Sequence, residues 1–205
     1  MPDLFSQLPD SSFNLLPFDG EVNYHGKLMQ QAAADSFFHG LMSDIPWEND
    51  QHIIFGKRIV TKRKMSWFGD EAFAYTYSQV TRTALPWTNT LRDLKSMVEK
   101  VSGETYNSCL LNLYHMGEEG MGWHSDDEKE LKKDGAIASL SFGAERKFQF
   151  KHRRTGDLVD VFLEHGSMLI MKGTVQTHWL HRLPPTKKIL NPRINLTFRT
   201  IVGIV

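Results

Sequence analysis

The chain has 205 residues, 24 basic and 24 acidic side chains, a net charge of zero, 40% hydrophobic content and a single cysteine. This is enough for one domain with a sizeable core, and it excludes an intrachain disulfide and a uniformly basic nucleic-acid coat. No apolar run nears the roughly 20 residues of a membrane helix, and MPDLFSQLPDSSF at the N-terminus has no basic segment leading into an apolar core. Neither a membrane partner nor a signal peptide is therefore expected, and the expected location is the cytoplasm.

Taken in chain order, residues 1–20 read as irregular. MQQAAADSFFHGLMS (29–43) has apolar residues every three to four positions and predicts a helix. QHIIFGKRIV (51–60) predicts a hairpin, two β-branched arms around Phe55-Gly56. FAYTYSQV (73–80) alternates aromatic and small residues and predicts a strand. A second helix follows, capped by Thr88, Asn89 or Thr90, with Leu91, Leu94, Met97, Val98 and Val101 on one face and Gly103 ending it. Beyond residue 106 the pattern becomes SCLLNLYHM, AIASLSFG, RKFQFKH, LVDVFLEHG, SMLIMKG, THWLHRLPP and RINLTFRTIV, short β-leaning runs separated by Gly, Pro or charged turns. Such spacing predicts a β-rich α+β fold, a jelly roll with the N-terminal helices packed on it. Cys109, inside an apolar run, reads as a buried, inert thiol.

Charge is unevenly spread. Lys57, Arg58, Lys62, Arg63 and Lys64 cluster in 56–64, and Arg146, Lys147, Lys151, Arg153 and Arg154 in 146–154, while acids gather in 118–134. Local positive fields of this kind suit phosphate, although lysine and arginine also guard strand edges.

The stretch GWHSDDE (122–128) carries the chemistry. In extended chain His124 and Asp126 point to one side, so they can hold one ion together, with a third ligand from His165, His178 or His181. Two histidines and a carboxylate leave coordination positions open, as in non-haem Fe(II) oxygenases. In NPRINLTFR, polar Arg193, Asn195, Thr197 and Arg199 alternate with apolar Ile194, Leu196 and Phe198. Two inward guanidinium groups in a jelly roll need an anionic partner, and a dicarboxylate beside the metal would supply one.

With these motifs in this order, residues 50–202 resemble the AlkB-type Fe(II)/2-oxoglutarate dioxygenases that repair alkylated nucleic acid, in particular the subgroup with an H-x-D-D-E motif and an F-G-K finger hairpin. The resemblance implies iron ligation by His124, Asp126 and His181, and 2-oxoglutarate binding by Asn112, Tyr114, Arg193, Thr197 and Arg199. It implies a duplex-probing finger at Phe55, Gly56 and Lys57, base-pocket walls at Tyr75 and Tyr77, an acidic pocket side at Asp127 and Glu128, and a substrate-side role for Arg63. His178 matches a position that is not a ligand. The expected unit is one domain, 1–205: an N-terminal extension to about residue 105 carrying helices, finger and nucleotide-recognition strands, and a catalytic jelly-roll core from about 106.

The expected activity is oxidative demethylation of bases of the 1-methyladenine and 3-methylcytosine type in DNA, using Fe(II), O2 and 2-oxoglutarate and releasing succinate, CO2 and formaldehyde. Duplex is the favoured substrate, since a phenylalanine wedge gains most where it replaces a base in a stack, with single strands also acceptable. An RNA or tRNA demethylase is the alternative with the same chemistry. A small-molecule or protein oxygenase and a non-catalytic jelly-roll module are the more distant ones. A monomer is expected.

Overall fold

The computed structural model describes residues 12–54, 57–77 and 80–203. Along the chain run β1 (Glu21–Lys27), α1 (Gln31–Asp44), β2 (Glu48–Ile54), β3 (Lys57–Gly69), β4 (Ala74–Tyr77), β5 (Val80–Thr83), β6 (Leu85–Pro86) and α2 (Asn89–Ser102). Then follow β7 (Ser108–Tyr114), β8 (Met121–His124), β9 (Ile137–Gly143), β10 (Arg146–His152), β11 (Leu158–Leu163), β12 (Ser167–Lys172), α3 (Val175–His178), β13 (Trp179–Leu183) and β14 (Arg193–Arg199). The larger sheet has the order β1-β12-β9-β14-β7-β3-β2, with β6 beside β3, and the smaller the order β11-β10-β13-β8. Neighbours in both are antiparallel apart from the short β3–β6 pairing. These two sheets are the predicted jelly roll.

Strand alternation gives the larger sheet two different faces. On one, Ile194, Leu196 and Phe198 of β14 join Leu111, Leu113, Leu140 and Phe142 in a core with Ala34 and Leu41 of α1 and Leu91, Leu94 and Val98 of α2. Each fully buried leucine there contributes about 1.5–3 kcal/mol. α2 forms as its sequence demands: the Thr88 hydroxyl accepts from the Leu91 N–H at 3.2 Å, and Gly103 closes the helix in the left-handed region at φ 70°. Cys109 lies in this core, where burial pushes its thiol well above the usual range.

The opposite face meets the smaller sheet. At one end Val22, Ile137, Leu169 and Met171 pack on Phe150, Val161, Leu163 and Trp179. Further along, the same face turns polar through Ser139 and Ser141 of β9 and Arg193, Asn195, Thr197 and Arg199 of β14. Polar side chains cannot fill space between sheets as hydrocarbon does, and a cavity of about 500 Å³ opens there.

Several elements differ from the sequence reading. β1 lies in residues 21–28, to which the sequence reading gave no element; its alternation is broken at Gly26, where the register on β12 shifts. β3 continues to Gly69, and the predicted strand 73–80 is β4 followed by β5, which pair as a separate hairpin. THWLHR begins inside the one-turn helix α3 before β13 starts. The Phe55-Gly56 turn lies outside the described residues.

The basic runs also separate. Lys62, Lys151, Arg153 and Arg154 are exposed. Arg146 instead is buried and donates to the carbonyls of Gly117, Glu119 and Pro184, each at 3.0 Å. It ties down the loop before β8 and has no face to offer a phosphate. Arg63 is buried too, in an ion pair with Asp50, which also holds Arg82 at 3.0 Å.

Candidate active site

β8 and β13 are neighbours in the smaller sheet, and their register sets His124 directly opposite His181. Asp126 lies two residues past the end of β8, its N–H donating to Gln176 Oε1 at 2.9 Å. His124 Nε2 and His181 Nε2 each stand 4.0 Å from Asp126 Oδ1, and the two rings meet edge to face at 4.3 Å. This is one of two groupings among the described residues with metal-ligand geometry.

The ring nitrogens are prepared for ligation. His124 Nδ1 lies 2.8 Å from the Gly122 carbonyl, which only accepts, so Nδ1 carries the proton and Nε2 keeps its lone pair. His181 packs on Phe148 with ring centroids 5.5 Å apart. Burial and the neighbouring His124 push its value down to about 4, against a smaller opposing pull from Asp126, so it is a neutral donor at pH 7. Burial alone would raise Asp126, but the Arg199 guanidinium leads the opposing charges and the carboxyl is held below its usual range. Two imidazoles and a carboxylate with open positions fit an Fe(II) centre.

Behind this group, β14 lays its polar face across the cavity floor. Arg193, 2% exposed, donates to Ser141 Oγ at 2.9 Å and Asn195 Oδ1 at 2.7 Å, while its Nε has no partner. Its guanidinium stands over the Tyr114 ring at 5.6 Å. Burial lowers its value to about 10, with Tyr114 opposing and Arg146 adding, so at neutral pH it remains a buried cation with no carboxylate paired to it among the described residues. Asn195 also accepts from Ser139 and donates to Thr197, which locks the row in place. An uncompensated buried guanidinium with a spare donor suits a carboxylate ligand.

Of the residues named from sequence, Asn112, Tyr114, His124, Asp126, His181, Arg193, Thr197 and Arg199 line one cavity together with Arg63, Asp127 and Glu128. Glu128 leans onto Arg199 at 3.4 Å; burial raises its value, beyond what Arg199 offsets, with Asp126 and Asp127 adding. The side chains of Lys57, Tyr75 and Tyr77 lie outside the described set, as do Phe55 and Gly56 entirely. The other histidines weighed as third ligand stand elsewhere. His165 packs on Phe142 and accepts from the Gly143 N–H, and His178 belongs to the second grouping.

Ser139 and Ser141 were missed, although serines at alternate positions of an apolar strand were the available signal; Asn195 was read as part of the polar row of β14 but given no role. Asp50, Arg82, Met65, Met121 and Trp67 are also on the cavity wall; the predicted hairpin is the antiparallel β2–β3 pair, but it did not reveal that Asp50, Met65 and Trp67 face the site.

The 2OG-Fe(II) oxygenase superfamily model matches residues 21–199. DNA oxidative demethylase ALKBH2 of Mus musculus is 40% identical over 186 residues, 85% of this chain and 78% of that protein. Alpha-ketoglutarate-dependent dioxygenase alkB homolog 3 of Homo sapiens is 39% identical over 178 residues, 82% of this chain and 62% of the relative. Among solved structures, that of OsALKBH1 superposes with a TM-score of 0.63 at 16% identity, covering 90% of this chain and 98% of its own, a likeness of fold. A match across the whole two-sheet core, together with these relatives, places the chain in the 2OG-Fe(II) oxygenase superfamily as an AlkB-type dioxygenase that uses Fe(II) and 2-oxoglutarate.

Proposed function

We propose that the chain is a DNA oxidative demethylase acting on N-methylated bases such as 1-methyladenine and 3-methylcytosine. The observation that carries this reading is one cavity holding the His124–Asp126–His181 grouping, the unpaired Arg193 cation and two further carboxylates, Asp127 and Glu128. ALKBH2 of Mus musculus, a DNA oxidative demethylase by name, supports the choice of substrate.

In this proposal His124, Asp126 and His181 hold the iron. Bound there, Fe(II) with 2-oxoglutarate and dioxygen would supply the oxidising chemistry for hydroxylation of the methyl group and its loss as formaldehyde. The chain's own groups do the rest. Arg193 grips the far carboxylate of 2-oxoglutarate, with Asn112, Tyr114, Thr197 and Arg199 shaping its slot. A methyl on a ring nitrogen makes the base cationic, and the field of Asp127 and Glu128 favours that base over its neutral parent. Tyr75 and Tyr77 wall the flipped base, on which a cation stacks well. Phe55, Gly56 and Lys57 form the wedge that fills the vacated stack, with Arg63 on the substrate side, acting through its pair with Asp50.

The wedge favours duplex over single strands, and the protein acts as a monomer built from residues 1–105 as the recognition extension and 106–205 as the catalytic core. Mass spectrometry of oligonucleotides bearing one 1-methyladenine, single-stranded and paired, in DNA and in RNA, tests this. Methyl loss requiring Fe(II) and 2-oxoglutarate is expected, fastest on duplex DNA, and absent in His124→Ala and Asp126→Ala. Full activity in either variant would remove the site assignment, and faster turnover of RNA would replace the DNA substrate.

A further inference from the structure

Two hairpins meet at the cavity. β2 and β3 belong to the larger sheet, whereas β4 and β5 pair only with each other among the described residues. An ion pair joins them, Asp50 on β2 with Arg82 on β5, and both residues line the cavity. We infer that Asp50 and Arg82 are positioning residues for the target base, a latch that holds the β4–β5 hairpin at the cavity wall. This inference rests on the reading of Tyr75 and Tyr77 as walls of the base pocket.

The larger sheet aims Asp50 inward through a fault in its own ladder. Asn49 pairs with Lys64 but Gln51 pairs with Val60, so Asp50 sits where the register shifts, facing residues 61–63 of β3. Irregularities of this kind re-aim a side chain. Asn49 Nδ2 donates to the Thr61 carbonyl at 3.0 Å and Thr61 Oγ1 to the Arg63 carbonyl at 3.1 Å, which holds the fault in shape. The Asp50 side chain is 5% exposed, and a carboxylate so buried needs cationic partners. Arg63 Nη2 donates to one of its oxygens and Arg82 Nη2 to the other, the latter at 3.0 Å.

The two arginines differ in where they are anchored. Arg63 belongs to the protein body. It is buried, its Nη1 donates to Met121 Sδ at 3.0 Å, and its guanidinium stands 6.0 Å from the centre of the Tyr114 ring. Arg82 belongs to the separate hairpin, and its register partner on β4 is Tyr75. Residues so paired have Cα atoms only about 4.5–5.5 Å apart, so whatever fixes Arg82 also fixes the backbone of Tyr75. Arg82 Nη1 donates in addition to Met65 Sδ on β3.

No strand pairing joins this hairpin to the larger sheet among the described residues, so side chains set its place. At its base the Ala84 N–H donates to the Phe73 carbonyl at 2.9 Å, and both residues pack with Met65 and Trp67. That apolar contact anchors the hairpin, and the ion pair sets how far it leans over the cavity. Arg82 is 24% exposed at its side chain, so the pair is shielded from the screening that weakens surface pairs. A wall held in this way orients the base and leaves the metal and 2-oxoglutarate groups untouched. Its loss therefore belongs in KM for the nucleic acid.

The test variant is Arg82→Met, because it leaves the buried Asp50–Arg63 pair intact, whereas Asp50→Asn would strand a buried cation. Arg82→Lys keeps the charge and serves as the conservative variant. Hydrogen exchange of the ligand-free chain should show the amides of β4 and β5 exchanging at least tenfold faster in Arg82→Met, with β9 and β14 unchanged and Arg82→Lys close to the parent. With an oligonucleotide bearing one 1-methyladenine, KM for the oligonucleotide should rise at least fivefold in Arg82→Met, while kcat and the KM for 2-oxoglutarate change less than twofold. Unaltered exchange in β4 and β5, a loss in kcat with KM unchanged, or Arg82→Lys as impaired as Arg82→Met would each overturn the latch. Succinate formation without methyl loss in the parent would overturn the demethylase reading instead, and the exchange comparison would still decide the latch.

Discussion

Arg193 is the most informative single residue. It is buried without a paired carboxylate among the described residues, and the neutral oxygens of Ser141 and Asn195 accept from its guanidinium. A base whose folded-state value, about 10, lies below its unfolded value binds its proton more weakly when folded. Its charge therefore costs stability at every pH below about 10, and the cost fades only as pH rises beyond that. Arg193→Met should leave the ligand-free protein equally or more heat-stable. It should also remove the stabilisation given by 2-oxoglutarate and weaken its binding by about 2–5 kcal/mol, at least about 30-fold. Thermal melts with and without 2-oxoglutarate check both halves, and a variant that melts lower yet still binds would show that Arg193 serves packing alone. In the wild-type protein the KM for 2-oxoglutarate should stay flat from neutral pH upward and climb only as pH passes about 10. A climb through pH 8 would point to a different group.

At the scale of elements, the loop between β7 and β8 depends on a residue far along the chain. Arg146, at the start of β10, gathers the carbonyls of Gly117 and Glu119 from that loop and of Pro184 after β13; the Gly117 carbonyl also accepts from the Thr186 N–H. Each unsatisfied carbonyl costs about 1–3 kcal/mol. Arg146→Met should therefore lower unfolding free energy in urea by about 3–5 kcal/mol, and a loss under 1 kcal/mol would mean that water replaces the guanidinium. From sequence alone Arg146 was one more member of a basic run, since charge clustering cannot tell an inward guanidinium from an outward one. Where local pattern suffices, the reading was accurate. The α2 periodicity, one of its three candidate caps and the Gly103 stop all appear in the structure, as does the polar–apolar alternation of β14. The signal failed where partners are distant. β1 is a strand because β12 lies beside it, and β8 is too short to announce itself.

For the whole molecule, zero net charge and a nucleic-acid substrate are compatible because the surviving exposed bases are local. Arg153 is exposed at the cavity mouth, where its Nη2 donates to Ser125 Oγ at 2.7 Å. If it meets a phosphate, Arg153→Gln should weaken DNA binding alike across sequences and reduce the slope of log affinity against log salt by about 0.7–0.9. Titrations at several salt concentrations measure this, and an unchanged slope would leave Arg153 as a support for Ser125 only. The candidate triad was legible because its members are separated by short spacings or matched motifs. The second grouping, Asp19, His152 and His178, was not, since it spans most of the chain length and exists only after both sheets have formed.

His124 and His181 face each other across the same pair of strands, yet they are not equally secured. His181 sits on an interior strand with its side chain 4% exposed, whereas His124 ends a four-residue strand at the sheet margin with 33% exposure. Fraying of that margin would withdraw one ligand while the rest of the molecule stays folded. The lifetime of the loaded enzyme is thus governed by a local opening of a few residues, and the protein can age by shedding its metal long before it loses its shape.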